Sequence, residues 1–295
     1  MGEKIKYSFI IPHKNTPVLL QRCLDSIPFR DDVEIIVVDN NSSHDIVDFD
    51  NYPGCNRKEV RIVRDNKSVG GGGARNIGLA HAKGKWILFA DADDYYSEGF
   101  LDVLDRYSDS EIDILYFNQI VLKDGKVISR IFKYVDDYCD DNDNNILAIK
   151  YKHHVPWNKM VRRDFLIKYG ISFEDCIAGN DILYSYLCGY YAKHISVERE
   201  RLYNYVINAN SVIHKKNNNS SYYVCIFSHL YQSNTFFEHI NHVGLKRSVF
   251  SRFLSILLKK GVSQCLYAFC VFVKYRNIIT SSKNYFMDKI RDTNV

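Results

Sequence analysis

The chain has 295 residues, 46% hydrophobic and 25% charged, a balance that supports a packed core and excludes intrinsic disorder. Fifteen Gly and five Pro exclude collagen-like and low-complexity architectures. The net charge of +4 hides an asymmetry: residues 243–295 hold ten Lys/Arg against Asp288 and Asp292, which leaves −4 on residues 1–242. A nucleic-acid binder would carry its cations on the folded body, so no nucleic-acid partner is expected.

The first hundred residues alternate between strand and helix signals. Residues 7–11 form a short apolar run ended by Pro12, and 18–27 carry a helical stripe of Leu19, Leu20, Cys23, Leu24 and Ile27. A β-branched run at 33–38 is ended by Asp39-Asn40-Asn41-Ser42, and 60–63 is a weaker strand. Residues 74–82 read as a helix behind four glycines, and 86–90 as a strand ended by Asp91-Ala92-Asp93-Asp94. Continuous apolar strands alternating with helices predict an α/β fold, a mainly parallel Rossmann-like sheet flanked by helices. Ligands of such sheets bind outside the carboxyl ends of the strands, so 12–15, 39–43 and 91–94 should line one crevice.

The middle is less regular. Residues 113–118 and 126–132 look like strands joined by Lys123-Asp124-Gly125, 136–145 form an Asp/Asn-rich loop, and a helix starts near Asn180. From about Ser221 the pattern is helical, with Leu245, Val249, Phe253 and Leu257 every four residues and Arg247, Arg252, Lys259 and Lys260 between them. No apolar run reaches the roughly 18 residues needed to span a bilayer; the longest, 265–273, ends at Lys274. The N-terminus lacks the apolar stretch of a signal peptide, and eight cysteines include no C-x-x-C pair. A cytoplasmic protein with reduced thiols is the expectation.

Three groups of residues invite chemistry. Three carboxylates in the four positions 91–94 repel one another unless a cation neutralises them; a hard divalent ion would do so, and a solvated helix-capping turn is the plainer reading. Gly70 to Gly73 precede Arg75 in a pattern that fits neither nucleotide-binding glycine fingerprint, and Arg75 is placed to meet a phosphate or a base, or simply solvent. Asp181 opens an apolar helix, where an Asp serves either as a cap or, in a crevice, as a general base. His153, His154, His239 and His242 have metal-like spacing without further ligands and read as ordinary histidines.

Together these segments resemble the inverting glycosyltransferases of family 2, a GT-A fold group that builds bacterial surface polysaccharides. The likeness spans about 5–215 and rests on six motifs in order. They are Ser8-Phe9-Ile10-Ile11-Pro12-His13-Lys14-Asn15, the strand closing in Asp39-Asn40-Asn41-Ser42, Asn66 with the glycines and Ala74-Arg75-Asn76-Ile77-Gly78-Leu79, Asp91-Ala92-Asp93-Asp94, Trp157-Asn158-Lys159-Met160, and Gly179-Asn180-Asp181. Asn40, Asn41 and Asn180 stand where the family usually has an acid, Gly and Glu.

The resemblance implies a GT-A catalytic domain over 1–215 and a helical basic region over 216–295. It implies that Pro12, Asn15 and Asp39 border the base of a nucleotide-sugar, a UDP-sugar. Asn66, Arg75, Asp91 and Ala92 would bind the rest of the donor, Trp157 and Lys159 would shape the sugar pocket, Asp93 would ligate Mn2+ or Mg2+, and Asp181 would be the catalytic base. The acceptor would be a saccharide, free or lipid-linked. A non-catalytic relative and a nucleotidyltransferase are the alternatives. The basic tail has two readings: its stripes pack on the catalytic core with the cations as the solvated face, or it makes peripheral contact with the anionic inner face of the cell membrane.

Overall fold

A computed structural model describes residues 5–128, 133–138, 142–207 and 219–292. Its first half is β1 (Tyr7–His13), α1 (Pro17–Asp25), β2 (Val33–Asn40), β3 (Val60–Asp65), α2 (Gly71–His81) and β4 (Trp86–Phe89). These strands are parallel in the order β3-β2-β1-β4. β1, β2 and β4 are almost wholly buried, as continuous apolar strands covered on both faces must be. Each buried Leu or Ile contributes about 1.5–3 kcal/mol of transfer free energy. α2 starts three residues earlier than the sequence suggests, with glycines inside its first turn. Their lack of side chains explains this: a Cβ on Gly72 would lie 2.1 Å from the Glu174 carbonyl oxygen. One on Gly78 would lie 2.3 Å from Ile10 of β1.

The chain continues through β5 (Tyr95–Tyr96), α3 (Phe100–Asp105), β6 (Ile114–Lys123), β7 (Lys126–Val127), α4 (Asp143–Tyr151), β8 (Lys159–Arg162), α5 (Arg163–Lys168), α6 (Asp181–Tyr191) and β9 (Ile195–Ile207). Beyond β4 the sheet runs β8-β6-β9-β5 and is mixed: β8 is antiparallel to β4 and β6, whereas β9 is parallel to β6. β6 is longer than expected. β7 covers only two residues of the expected strand at 126–132, whose positions 129–132 lie outside the described residues. The supposed loop 136–145 gives way to α4, because Asn142 caps it by accepting the N–H groups of Asn144 and Asn145 at 3.0 and 3.3 Å. β9 was not expected at all. Its Glu198–Arg201 stretch hides the strand period, and the ladder absorbs it as an irregularity opposite Phe117 and Asn118.

The described residues form two compact units. The first holds the whole sheet, with residues up to Asp175 and from Asn180 to Ile207. The second joins Cys176–Gly179 to the helices α7 (Ser220–His239), α8 (Val249–Lys260), α9 (Val262–Lys274), α10 (Arg276–Ser281) and α11 (Tyr285–Asp292). Its core is Tyr223, Phe227 and Leu230 of α7 with Ile256, Ala268, Val271 and Ile279. Of the expected stripe, Val249 and Phe253 pack on this core, Leu245 falls in a short 3-10 turn, and Leu257 is exposed. Among the described residues no helix is long and apolar enough to cross a membrane.

Candidate functional site

Parallel pairing brings the carboxyl ends of β1, β2 and β4 to one edge. His13 lies opposite Asp39 in the β1–β2 register, and Ile10 opposite Phe89 in β1–β4. The ends of β1 and β2 are stitched by side chains. Asn15 donates its N–H to Ser42 Oγ at 2.9 Å and accepts the Ser43 N–H at 2.7 Å. Asn15 and Asn41 both have φ of 57°, a left-handed conformation that Asn tolerates better than most residues. That tolerance suits Asn41 to a position where the resembling family carries Gly.

Asp39 is the hub of this corner. Its Oδ1 accepts the Ser42 N–H at 2.9 Å, and its Oδ2 accepts the Tyr52 hydroxyl at 2.8 Å and faces His13 Nδ1 at 3.2 Å. His13 Nε2 accepts the Thr16 N–H at 3.1 Å, so the ring proton belongs on Nδ1, toward Asp39 and Tyr52. Burial alone would raise the Asp39 pKa. The hydrogen bonds from His13, Ser42 and Tyr52 outweigh it and hold the carboxyl well below the usual range. Pro12 is half-buried one residue before this cluster. Asn66 is exposed beyond β3, where Asp65 organises the turn by accepting the N–H groups of Lys67 and Ser68.

The turn after β4 is anchored to β9 through Asp94. Asp94 is fully buried, accepts the Val206 N–H at 2.7 Å and the Tyr203 hydroxyl at 2.9 Å, and lies next to the half-buried Asp91 and Asp93. Burial, then the charges of Asp91 and Asp93, raise its pKa well above the ordinary value. Tyr203 Oη also accepts the Asp91 N–H at 2.9 Å, and Ala92 is buried between the acids. The carboxylate oxygens of this turn are hard ligands and suit a hard divalent cation better than any soft metal. Asp91 and Asp93 are the half-buried donors there.

Arg75 joins this turn to α6. It is buried rather than a surface arginine; it pairs with Asp91, donates from the other terminal nitrogen to Asn180 Oδ1 at 3.3 Å, and lies over the Phe173 ring. Asn76 fixes Phe173 in turn, exchanging two hydrogen bonds with its backbone at 2.8 and 2.9 Å. Asp181 is the first residue of α6, after an Asn180 whose side chain makes no capping bond. The residue is half-buried, and withdrawal of its carboxyl from water raises the pKa, opposed by Arg75 and Lys159 and reinforced by Asp91.

Trp157 and Lys159 are both interior. Trp157 is stacked flat on Tyr203 and Tyr205, ring centroids 4.9 and 5.3 Å away, so Tyr205 is the more exposed ring of the three. Lys159 is fully buried, donating to the carbonyls of His153 (3.1 Å) and Val155 and lying over the Tyr116 ring. Burial pulls its pKa down to about 8, against Cys188 and Asp181. The structure thus brings Arg75, Lys159 and Asp91 into electrostatic reach of Asp181, with Asp39 at the neighbouring strand end and Asn66 exposed beyond β3. In the sequence reading His13, Asp94 and Asn76 stand within motifs but carry no role of their own, and Tyr52, Tyr203 and Tyr205 stand outside every motif. Only the 203/205 alternation could have signalled the last two.

The sequence pattern described as Glycosyl transferase family 2 matches residues 8–170. Among curated proteins, the chain is 29% identical over 210 residues to a poly(ribitol-phosphate) beta-glucosyltransferase of Bacillus spizizenii, covering 69% of this chain and 32% of that one. It is 32% identical over 127 residues to the GalNAc(5)-diNAcBac-PP-undecaprenol beta-1,3-glucosyltransferase of Campylobacter jejuni, covering 41% and 40%. In both cases the match spans less than half of the relative's own length. Among solved structures, S. aureus TarS 1-349 in complex with UDP-GlcNAc superposes with a TM-score of 0.65 at 19% identity, covering 98% of this chain and 90% of that one.

Proposed function

The chain belongs to glycosyl transferase family 2 and has the GT-A fold, and on that premise we propose that it moves a sugar from a UDP-sugar to a saccharide acceptor with inversion. The observation that supports this most is the setting of Asp181. It is a carboxyl with raised proton affinity at a helix start, near the Arg75 that also grips Asp91. Asp181 takes the proton of the acceptor hydroxyl, whose oxygen bonds to the anomeric carbon as the bond to the diphosphate breaks. The bonding electrons leave with the nucleoside diphosphate. A positioned base of this kind is worth about 10²–10⁴-fold.

The other residues bind and orient. Asp39, kept ionised by His13, Ser42 and Tyr52, accepts an N–H of the base, with Pro12 and Asn15 beside it. Arg75 faces the diphosphate, and its buried Nε has no hydrogen-bond partner among the described residues, a donor suited to a phosphate oxygen. Asp91, Ala92 and Asn66 contact the rest of the donor. Trp157 backs Tyr205 as the wall of the sugar pocket, and Lys159 holds the 153–158 turn from inside. Mn2+ or Mg2+ held by Asp93 would neutralise charge on the leaving diphosphate. A lipid-linked acceptor is supported by the undecaprenol-linked substrate in the Campylobacter jejuni relative's name.

The full chain, incubated with Mn2+, a panel of UDP- and GDP-sugars and saccharide or undecaprenyl-linked acceptors, should release UDP and form a linkage of inverted anomeric configuration. Asp181→Asn should bind donor as before and lose at least about 10²-fold in transfer. Tight donor binding with no turnover on any acceptor would favour a binding protein. Release of pyrophosphate would favour nucleotidyl transfer.

A further inference from the structure

The helical unit buries one apolar face of its α8–α9 pair and leaves a second one outside. On α8, Val249, Phe253 and Ile256 meet the core around α7. Phe250 (75% exposed), Leu254, Leu257 and Leu258 (77% exposed) recur at helical spacing on the other face. α9 repeats the arrangement. Ala268, Val271 and Phe272 face inward, whereas Val262, Leu266, Phe269 (54% exposed) and Val273 are outside. Gly261, at φ of 82°, makes the one-residue turn between the helices. Both inner faces meet the same core, and Phe269 of the outer α9 stripe lies against Phe253 of α8, ring centroids 5.9 Å apart, which sets the two helices side by side. Isolated exposed leucines need no explanation, but two continuous stripes do.

The surrounding charge identifies what covers this face. Residues 243–287 contain eight Lys/Arg and no Asp or Glu. Arg247, Lys259, Lys274 and Arg276 are exposed at the ends of the two helices. A second copy of the chain packed face to face would set cation against cation, since a two-fold interface brings the same patch together with itself. An anionic bilayer has both complements: acyl chains for the stripes and phosphates for the cations at their ends. Neither helix is long enough to span, so they would lie in the interfacial plane.

We propose that the outer face of α8 and α9 is a docking site for an anionic membrane surface, with Phe250, Leu258, Leu266 and Phe269 inserted among the lipids. This is independent of the glycosyl-transfer reading. It is tested by floating the full chain with vesicles of phosphatidylcholine mixed with an equal share of phosphatidylglycerol. The chain should float at low salt, and added salt should weaken binding. Leu258→Ser and Phe269→Ser, both at exposed positions, should each weaken binding by about tenfold. Lys259→Gln and Arg276→Gln should each do so by about fivefold. Circular dichroism and UDP affinity should be unchanged in all four. Absence of flotation at low salt, or undiminished flotation of both serine variants, would overturn the proposal. So would a dimer in light scattering that Leu258→Ser converts to monomer, because a second copy would then own the face.

Discussion

The guanidinium of Arg75 stands 3.3 Å from the amide oxygen of Asn180, the residue before Asp181, while its other terminal nitrogen holds Asp91. Residues from α2, the turn after β4 and the start of α6 are thereby tied to one planar cation. The fork geometry matters, because a lysine could satisfy one of these partners but not both in fixed directions. The donor side and the base side of the proposed reaction therefore share a positioning group. Phe173 supports it from below, and Asn76 locks Phe173.

Removal of the proposed metal ligand should separate binding from folding. Asp93 is half-buried, and Asp94 ties the turn to Tyr203 and Val206 of β9. With Asp94 still anchoring the turn, Asp93→Ala should keep the fold and lose the Mn2+-dependent part of UDP affinity in calorimetry. Unchanged metal-dependent affinity would remove Asp93 from the metal site.

Tyr203 is the opposite case. Its hydroxyl accepts the Asp91 N–H and donates to the buried Asp94 carboxylate. Tyr203→Phe leaves both groups short of a partner, at a cost of about 1–3 kcal/mol. The expected result is a lower midpoint in urea together with weaker donor binding, because the turn that presents Asp91 and Asp93 loses its anchor. Normal stability would mean that Val206 alone secures the turn.

The sequence made the parallel half of the sheet legible because β1, β2 and β4 are continuous apolar runs whose polar ends stand out. The other half was harder for physical reasons. β9 carries Glu198–Arg201 through an irregularity, so no period of two survives there. Asp/Asn-rich 136–145 resembles a loop, yet Asn142 is a helix cap. Tyr52 comes to Asp39 from an irregular segment, where only tertiary packing decides the partner. On α8 the apolar residues occupy two faces, and a single four-residue stripe picks out part of each.

Lys159 gives a prediction about stability and pH. Burial lowers its pKa from 10.5 to about 8 in the folded chain. Between those values the unfolded chain binds the extra proton, so the contribution of Lys159 to stability rises with pH across about 8 to 10.5. The stability of the native protein relative to Lys159→Met should grow by about 3 kcal/mol over that window. Urea titrations at pH 7.5 and near 10 would measure it. A difference independent of pH would mean that the carbonyls of His153 and Val155 fully compensate the buried charge.

Asn180 should set the acid limb of the pH profile. Asp181 must be ionised to take a proton, and its pKa is raised by burial while Arg75 and Lys159 oppose the rise. Activity should therefore fall with decreasing pH at a value above that of an ordinary carboxylate. Asn180→Glu would add a negative charge beside Asp181 and compete for Arg75, and both effects favour the protonated acid. The acid limb of kcat/KM should move to higher pH, by on the order of one unit for a like charge this close. Asn180→Ala removes the Arg75 hydrogen bond without adding charge, so its limb should stay near that of the native enzyme while KM for the donor rises. A limb that does not move in Asn180→Glu would mean that the proton is taken elsewhere, and the assignment of Asp181 would fall with it.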